Sequence, residues 1–313
     1  MKSYQYVIVG GGMTANAAVH GIREIDAKRS IALFSDERFP PYKRPPLSKG
    51  LWNGQSEESI WLGTESQAVI LHLGQRIIHL DPMEQTVTDN QGESYKYQKL
   101  LLATGGRPRV LPFDHSRDIL YYRNWSDYKR LRRLCQRQNR FAVIGGGFIG
   151  SEIAAALARS GKQATIFCAG TGIGSHIFPQ ELVEFLNDYY RCRDVDVVAG
   201  ERVIGLEKEG DFKILVTDHG REIVADAVIA GIGIEPNVEL AASAGIEIED
   251  GIRVDASLRT TQPGIFAAGD VASFYNPILE EWIRVEHEDN ATVMGRSAGR
   301  SMAGEQISYD YVP

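Results

Sequence analysis

The sequence has few cysteines, no long apolar run and no leader segment. Its three cysteines, Cys135, Cys168 and Cys192, are an odd number and form neither a C-x-x-C pair nor a zinc-ligand pattern. This spacing argues against a disulfide framework and a metal site, and it predicts reduced thiols in a reducing compartment. No apolar run approaches the roughly 20 residues of a transmembrane helix, and no charged-then-apolar leader precedes the first strand. We therefore expect a cytoplasmic protein without a membrane span.

Positive charge is also scarce relative to negative charge. The formal net charge is -7, from 34 lysines and arginines against 41 aspartates and glutamates. This balance disfavours a general affinity for nucleic acid or anionic membranes, although it is compatible with local basic patches. A hydrophobic content of 43% and a charged content of 24% are typical of a soluble globular protein, and 313 residues suggest about two domains.

A glycine-rich turn near the N-terminus predicts a dinucleotide site. The apolar run Tyr6–Val9 predicts a buried strand, and small, helix-compatible residues follow the glycines. The spacing is Gly10-x-Gly12-x-x-Ala15, in which missing side chains let the backbone approach a pyrophosphate at the helix N-terminus. Roughly 20 residues on, a second apolar run ends before Asp36, whose carboxylate is placed to bind ribose hydroxyls. The alternative is a glycine turn in an ordinary α/β sheet.

The same unit occurs a second time. The apolar run Phe141–Ile144 is followed by Gly145-x-Gly147-x-x-Gly150 and by another stretch of small residues. A protein needs two such sites chiefly when it brings two dinucleotides together for hydride transfer. The duplication therefore predicts an α/β fold with two Rossmann-like dinucleotide-binding domains.

Two other predicted strands run into glycines, where each closes its predicted domain. One runs into Ala103, Thr104 and Gly105, and a later one runs into a segment that contains Gly233. Another buried strand ends shortly before Asp270. An aspartate at the carboxyl end of such a strand is placed to bind a polyol, although it could instead cap the next helix.

A proline-rich run, residues 39–49, follows the first predicted domain core. Its prolines predict an extended, rigid loop that presents Lys43, Arg44 and Lys49. The loop is either a stiff linker with solvated charges or a preorganised arm that holds cations against the phosphates and ring of a cofactor. Its position directly after a dinucleotide strand favours the second interpretation.

Residues Trp125–Arg140 predict a strongly basic helix with Ser126 as a cap. The basic residues are Lys129, Arg130, Arg132, Arg133, Arg137 and Arg140. Such a pattern usually marks a solvated helix face. The alternative is a docking patch for an acidic electron carrier or for nucleic acid, and the sequence does not choose between them.

These motifs resemble those of the two-dinucleotide flavoprotein reductases of the glutathione reductase structural class, over about residues 5–304. The run Pro45–Lys49 and the lack of a C-x-x-x-x-C pair resemble the ferredoxin reductase branch. Four further motifs resemble apoptosis-inducing factor and its bacterial relatives: Phe148–Glu152, Gly233–Leu240, Val285–His287 and Met294–Gly299.

The resemblance implies site residues. Phe148 would lie between nicotinamide and flavin, and Lys49 would pair with Glu152 beside the flavin N5, so these three are the expected catalytic residues. The helix after Glu286 and His287 would point its N-terminus at the flavin. The expected cofactor-binding residues are Gly10, Gly12, Ala15, Asp36, Arg44, Lys49, Ala103, Thr104, Gly105, Gly145, Gly147, Gly150, Gly233, Asp270, Glu286 and His287.

The resemblance also implies a domain order. Residues 1–114 and 248–313 would form an FAD-binding domain, and residues 115–247 an NAD(P)H-binding domain. Relatives continue into a third domain, which is absent or truncated here, so the chain is either naturally short or part of a longer protein. After the second turn, Cys168 and Ala169 stand where an acid would favour NAD or an arginine NADP. We expect NADH to be preferred, with weak binding and with NADPH as the alternative.

The expected function is that of an FAD-dependent oxidoreductase. It would transfer hydride from NAD(P)H to flavin and pass electrons to an external acceptor without a redox disulfide. The acceptor would be a ferredoxin-like protein, a quinone or a small oxidant. The alternative is a redox-sensing interaction protein like apoptosis-inducing factor, with slow turnover and a change of partner or of homodimer state.

Overall fold

A computed structural model describes residues 1–115 and 118–312. Ser116, Arg117 and Pro313, which fall inside the predicted domains, lie outside the described residues. The strands are β1 (Lys2–Val9), β2 (Ile31–Ser35), β3 (Val69–Leu73), β4 (Ile77–Asp81), β5 (Thr86–Asp89), β6 (Ser94–Leu102), β7 (Gly106–Pro108), β8 (Ile119–Tyr121), β9 (Arg140–Ile144), β10 (Gln163–Cys168), β11 (Val195–Ala199), β12 (Val203–Glu209), β13 (Phe212–Thr217), β14 (Glu222–Ala225), β15 (Ala227–Ala230), β16 (Ile234–Pro236), β17 (Ile248–Glu249), β18 (Gly251–Val254), β19 (Ile265–Ala267), β20 (Ala272–Asn276) and β21 (Glu281–Ile283).

Helices are fewer than strands. The α-helices are α1 (Met13–Ile25), α2 (Trp125–Arg137), α3 (Phe148–Arg159), α4 (Gln180–Arg191), α5 (Glu239–Ser243) and α6 (Glu288–Met302). Short 3₁₀ turns span Pro45–Leu47, Gly50–Asn53, Glu57–Ile60 and Thr64–Gln67. Among the described residues, no helix combines the length and apolar character needed to cross a bilayer.

The chain forms two compact units. The first consists of residues 1–43, 58–107 and 236–313, and the second of residues 44–57 and 108–235. The chain passes between them four times, so neither unit is one continuous segment. The assignment of FAD and NAD(P)H domains to residue ranges stays a prediction.

The first unit is built on a seven-stranded sheet with the order β3-β2-β1-β6-β5-β4, to which β19 adds by pairing with β6. Strands β3, β2, β1, β6 and β19 are parallel, whereas β5 pairs antiparallel with both β6 and β4. The central strands are continuous apolar runs, as expected for parallel strands covered on both faces. Ile8, Leu33 and Leu101 are fully buried in this core. A smaller sheet, β17-β18-β20-β21, belongs to the same unit.

Helices α1 and α6 of the first unit pack closely because glycines remove the side chains between them. A Cβ at Gly295 would lie 2.4 Å from the Thr14 carbonyl oxygen, and one at Gly299 would lie 2.1 Å from the Ala18 carbonyl oxygen. Gly21 of α1 approaches α6 in the same way. The last helix is therefore fastened directly to the helix that follows the first glycine turn.

The second unit is built on a parallel sheet with the order β11-β10-β9-β15-β8. A separate antiparallel sheet, β12-β13-β14, packs against it through Leu215, which is fully buried, and Val203. The α/β fold class with two Rossmann-like sheets is confirmed. In the first unit, strands β5 and β6 pair antiparallel as a hairpin.

Two local predictions are wrong. The proline-rich run is not extended throughout, because Pro45 and Pro46 occupy the first positions of a 3₁₀ turn, where the fixed φ of proline fits. Helix α2 is not capped by Ser126, which lies inside it. Asn124 is the cap, and Asn124 and Asp127 form a reciprocal capping box.

Candidate functional site

The first glycine turn connects β1 to α1. Gly10 has a φ of +135°, and a Cβ there would lie 2.0 Å from the Ala103 carbonyl oxygen. Only glycine fits both the backbone conformation and the close approach. Gly12 is the N-cap of α1, and Ala15 is fully buried in its first turn. The predicted strand, glycine turn and helix are present, and the turn brings the segment after β6 close to the start of α1.

The predicted flavin residues of the first unit meet at one edge of its sheet. Asp36 follows β2, the segment of Ala103, Thr104 and Gly105 follows β6, and Asp270 follows β19 by a few residues. Because these strands and β1 are parallel, their carboxyl ends lie at the same edge as the first glycine turn. Ligands of open α/β sheets bind at this edge.

Thr104 has a structural partner that sequence reasoning missed. Its hydroxyl donates to the Asn237 carbonyl oxygen at 2.8 Å, and the Asn237 side-chain amide donates to the Thr104 carbonyl oxygen at 2.8 Å. The backbone N–H of Asn237 also donates to Gly105. Asn237 follows a predicted strand that ends in glycines, but this position alone does not indicate that its partner is Thr104.

Glu286 and His287 lie at the start of α6. His287 is the N-cap, and its Nδ1 accepts from the Asp289 backbone N–H at 3.3 Å. Glu286 accepts from Arg284 at 2.7 Å, and Arg284 also donates to the Asp270 carbonyl oxygen at 3.1 Å. Arg284 thus ties the segment after β19 to the segment before α6.

The second glycine turn connects β9 to α3. Gly145 has a φ of +112°, and a Cβ there would lie 2.3 Å from the Gly231 carbonyl oxygen. A Cβ at Gly150 would lie 1.8 Å from the Gly145 carbonyl oxygen. Gly147 caps α3, and Phe148, the first residue of the helix, is 60% exposed. The second turn is thus closed against β15 as the first is closed against β6.

The expected ion pair between Lys49 and Glu152 is present in the second unit. Lys49 Nζ lies 3.0 Å from Glu152 Oε1. The other carboxylate oxygen accepts a 2.6 Å hydrogen bond from the Ser48 hydroxyl, a partner that the sequence reasoning missed. Glu152 is four residues after Phe148, so both side chains lie on one face of α3. Burial raises the pKa of the nearby Tyr190 phenol, and the Glu152 carboxylate raises it further.

Arg44 and Gly233 also lie in the second unit. Arg44 Nη1 donates to the Arg123 carbonyl oxygen at 3.3 Å. Gly233 follows β15 with a φ of +90°, and its carbonyl accepts from the Arg109 backbone N–H. Both residues are held by local contacts, and their contacts with a cofactor stay a prediction.

The two turns can be aligned residue by residue, and the alignment shows that the second turn lacks a carboxylate corresponding to Asp36. Gly10 N–H donates to the Phe34 carbonyl oxygen, and Gly145 N–H donates to that of Phe167. Asp36, two residues after Phe34, therefore corresponds to Ala169. The second site has no carboxylate at the position where the first has one.

The residues between these positions also correspond. A Cβ at Gly11 would lie 2.1 Å from Ser35 Oγ, and one at Gly146 would lie 2.5 Å from Cys168 Sγ. Burial raises the pKa of the Cys168 thiol to about 11. Cys168 is therefore a packing residue that stays protonated at neutral pH.

His176 is another residue that sequence reasoning missed. Its ring carbon Cε1 would lie 3.8 Å from a Cβ at Gly147. The loop that carries it is fixed by Asn187, whose side chain accepts from the Ile173 N–H and donates to the Thr171 carbonyl oxygen. An imidazole thus stands beside the second glycine turn.

Both turns have the donors that a pyrophosphate needs. The first four N–H groups of a helix lack intrahelical partners, and glycine caps supply no side chain to accept from them. By contrast, Asn124 caps α2 and His287 caps α6 with their side chains. The N-termini of α1 and α3 therefore suit the phosphates of FAD and of a nicotinamide dinucleotide. Within residues 1–115 and 118–312, no group of three or more His, Cys, Asp or Glu side chains could hold a metal.

Comparison with known proteins gives a family. The model of the pyridine nucleotide-disulphide oxidoreductases matches residues 4–295. The ferredoxin–NAD(+) reductase component of the anthranilate 1,2-dioxygenase system of Burkholderia cepacia is 34% identical, over all of this chain and 79% of the relative. A putative mitochondrial apoptosis-inducing factor of Drosophila melanogaster is 28% identical, over 99% of this chain but 48% of the relative.

A solved structure agrees. A chain in the crystal structure of the covalent putidaredoxin reductase–putidaredoxin complex has a TM-score of 0.92 and 31% identity, over 99% of this chain and 78% of that one. The expected resemblance, fold class, enzyme class and cofactors are confirmed. The chain belongs to the pyridine nucleotide-disulphide oxidoreductase family and is an FAD-dependent oxidoreductase that takes electrons from a nicotinamide dinucleotide.

Proposed function

We propose that this protein passes electrons from NADH through FAD to a small iron–sulfur protein of the ferredoxin type. The ion pair of Lys49 and Glu152 beside the second glycine turn is the observation that carries the proposal. The kinship with a ferredoxin–NAD(+) reductase component supports the choice of acceptor. All three cysteines are free thiols, so electrons leave the flavin without an internal disulfide.

The electron balance requires two acceptor molecules for each NADH. FAD, when bound, accepts a hydride as two electrons and one proton and releases electrons singly. The net reaction converts one NADH and two oxidised ferredoxins into NAD⁺, two reduced ferredoxins and one proton.

The first unit is the proposed FAD site. The N–H groups at the start of α1, after Gly12, would hold the pyrophosphate, and Asp36 would accept from the ribose hydroxyls. Asp270 would bind the ribityl chain. The other proposed cofactor contacts of this unit are Gly10, Ala15, Ala103, Thr104, Gly105, Glu286 and His287. Arg44 and Lys49, which belong to the second unit, are also proposed to contact a cofactor.

The second unit is the proposed nicotinamide site. Gly145, Gly147 and Gly150 would let the backbone of the turn and the start of α3 approach the pyrophosphate, and Gly233 would leave room for the nucleotide beyond β15. Phe148, exposed at the start of α3, would lie against the nicotinamide ring. We propose NADH as the preferred nucleotide and a cytoplasmic location, which the three free thiols favour.

Lys49 and Glu152 are proposed to bias hydride transfer by holding a fixed charge near the accepting atom. The Glu152 carboxylate has both oxygens engaged, one by Lys49 and one by Ser48. This arrangement orients the Lys49 ammonium group. The positive charge would stabilise the negative charge that develops during transfer.

The test follows flavin reduction and reoxidation separately. The purified protein is mixed anaerobically with NADH, and then an acidic [2Fe–2S] ferredoxin, a quinone and oxygen are offered in turn. We expect fast reoxidation by ferredoxin. A long-wavelength absorption band that persists in the presence of every acceptor would instead support the redox-sensing alternative.

Glu152→Gln tests the proposed site itself. We expect it to slow reduction by NADH by about tenfold or more, because a hydrogen bond to a charged group contributes about 1.5–3 kcal/mol, while FAD content stays the same. Glu207→Gln, at an exposed position of β12, is the matched control. An unchanged reduction rate in Glu152→Gln would exclude the assigned role.

A further inference from the structure

We propose that the outer face of α2 is the docking surface for the acidic face of the electron-accepting protein. This inference rests on the proposed function for the nature of the partner and on the structure for the place. The surface is defined by Arg130, Arg133 and Arg137, which we call the arginine row.

The arginine row lies opposite the buried face of α2. Trp125, Tyr128 and Leu131 are buried, and the three arginines are exposed. At 3.6 residues per turn the arginines fall within about 60° of one another around the helix, and they extend over about 10 Å of its length. They therefore form one continuous strip of positive charge on the surface.

The fold does not use these three charges. In the part of the chain that the structure describes, no carboxylate lies within ion-pair distance of the arginine row. The single acid of α2, Asp127, is engaged in the capping box. Like charges three and four residues apart destabilise a helix, so repulsion within the arginine row destabilises α2. No ion pair of the described residues offsets this repulsion. An acidic partner bound to the arginine row would offset the repulsion between the three arginines.

The other two cations of α2 contact residues 52–57 of the same unit. Lys129 pairs with Glu57 at 3.2 Å, and the Arg132 guanidinium lies 5.0 Å from the centre of the Trp52 ring. Trp52 also contacts Tyr128 edge to face. These contacts distinguish two kinds of cation on one helix, those used in packing and those of the arginine row.

Helix α2 is joined through Trp52 to the segment that carries Lys49. Trp52 Nε1 donates to the Leu47 carbonyl oxygen at 2.8 Å, and the same oxygen accepts from the Tyr122 hydroxyl just before α2. The Ser48 hydroxyl, next in sequence, donates to Glu152. A partner seated on the arginine row would thus lie on the helix that supports the proposed catalytic pair.

The charge pattern favours an acidic protein over nucleic acid. Nucleic-acid binding depends on neutralising many phosphates spaced about 1.7 Å apart along a duplex. The arginine row offers three charges over a short distance on a chain with a net charge of -7. Three charges suffice to steer and orient an acidic protein patch, and such steering raises association rates.

The experiment uses the holoenzyme with the substitutions Arg130→Gln, Arg133→Gln and Arg137→Gln combined. Glutamine keeps high helix propensity and removes repulsion, so the variant should fold. The control combines Lys28→Gln, Lys96→Gln and Lys208→Gln, which remove the same charge from exposed positions elsewhere. The probe is an acidic [2Fe–2S] ferredoxin, measured by its KM in turnover and by direct binding of its oxidised form.

We expect the triple-arginine variant to raise the KM and the Kd for ferredoxin about tenfold, with the control unchanged. The wild-type Kd should rise between about 0.01 M and about 0.1 M salt, as the Debye length falls from about 30 to about 10 Å, and the variant should lose much of this dependence. Electron transfer from NADH to ferricyanide should be the same in all three proteins.

Two results would overturn the docking surface. One is a variant that binds ferredoxin as the control does. The other is wild-type binding to a DNA duplex that only the arginine variant loses, with its ferredoxin Kd unchanged. A different result would contradict the proposed function: the wild-type protein would bind ferredoxin through the arginine row but would not reduce it.

Discussion

The two glycine turns share a backbone but differ in the side chains around it. In the first, Asp36 follows the neighbouring strand, whereas in the second Ala169 stands at the same position. The glycine-capped helix N-terminus, which suits a pyrophosphate, is present in both. The carboxylate that would bind ribose hydroxyls is present only in the first. The comparison teaches that pyrophosphate binding and ribose binding are separable, which fits one resident cofactor and one that exchanges.

Helices α1 and α3, which follow the two turns, also differ in the side chains at corresponding positions. Glu152, in the fifth position of α3, corresponds to Ala17 in α1, and Phe148 corresponds to Met13. The first helix is therefore uncharged and apolar where the second has the carboxylate that pairs with Lys49. The chemistry of the proposed site is concentrated at the second turn, although the first has the stronger set of binding groups.

The largest expected effect comes from swapping the third small residue of the two glycine motifs, which is Ala15 in the first and Gly150 in the second. Gly150→Ala should disrupt the second turn, since the new Cβ would lie 1.8 Å from the Gly145 carbonyl oxygen. Overpacking costs about 1–3 kcal/mol and occasionally more, and a clash this short with a backbone oxygen falls at the upper end of that range or beyond it. We expect NADH affinity and thermal stability to fall while FAD content is retained. The converse change, Ala15→Gly, should cost only about 1 kcal/mol, as glycine does in a helix. Equal losses from both changes would show that the turns tolerate side chains alike.

Ala169→Asp should remove the main difference between the two sites. The new carboxylate can accept from ribose hydroxyls, and a charged hydrogen bond contributes about 1.5–3 kcal/mol, or about tenfold to a hundredfold in affinity. We expect the Kd of NADH to fall and that of NADPH to rise, because the acid repels a 2′-phosphate. Fluorescence titration with both nucleotides measures this, with Ala27→Asp as the charge control. A variant that binds both nucleotides as the wild type does would contradict the correspondence with Asp36.

Ser48→Ala should have a smaller effect, confined to the second turn. It removes one of the two groups that hold Glu152 while leaving Lys49 in place. Because Glu152 is partly exposed, we expect a loss of about 1 kcal/mol and a few-fold slower reduction by NADH in stopped flow. Ser151→Ala, which removes only a local hydrogen bond to Phe148, is the control. Equal rates in the two variants would show that Ser48 does not position the carboxylate.

The smallest effect is expected from Cys168→Ser, which copies Ser35 into the second turn. Ser35 Oγ accepts from the Glu37 N–H two residues on, and a serine at position 168 can make the same local bond. At pH 7 we therefore expect a change within about 1 kcal/mol.

The same variant should change the pH dependence of stability at alkaline pH. Burial raises the pKa of the folded Cys168 thiol to about 11, from its ordinary value of 9.0. Its contribution to stability is complete below pH 9 and is lost as the pH rises towards 11. Chemical unfolding at several pH values should show this loss in the wild type but not in Cys168→Ser. The same slope in both proteins would assign it to other groups.

Local patterns predicted most of the fold. Both strand–glycine–helix units are confirmed because each is determined by neighbours in the sequence. The local exceptions are instructive. The prolines of residues 39–49 predict extended backbone, but proline also fits the start of a helical turn, as at Pro45 and Pro46. The sequence suggests Ser126 as a cap, although Asn124, two residues earlier, has the acid of a capping box three positions on.

The contacts that build the site were harder to predict because they join distant segments. Ser48 and Glu152 are 104 residues apart, and Thr104 and Asn237 are 133 residues apart. No spacing rule connects such positions. The Lys49–Glu152 pair was expected only through family resemblance. Ser48, adjacent to Lys49, was within reach of the same reasoning, since a carboxylate held by one oxygen still has a second to satisfy.

The position of β19 in the first sheet has a consequence for synthesis on the ribosome. This strand pairs with β6, from which about half of the chain separates it, and helix α6 packs on α1, from which most of the chain separates it. The body of the second unit, residues 108–235, is translated before either β19 or α6 exists. The nascent chain therefore exposes the unpaired edge of β6 while the second unit emerges, and such an edge can pair wrongly. The Asp270 side of the first sheet, and with it a complete flavin edge, forms only near the end of translation.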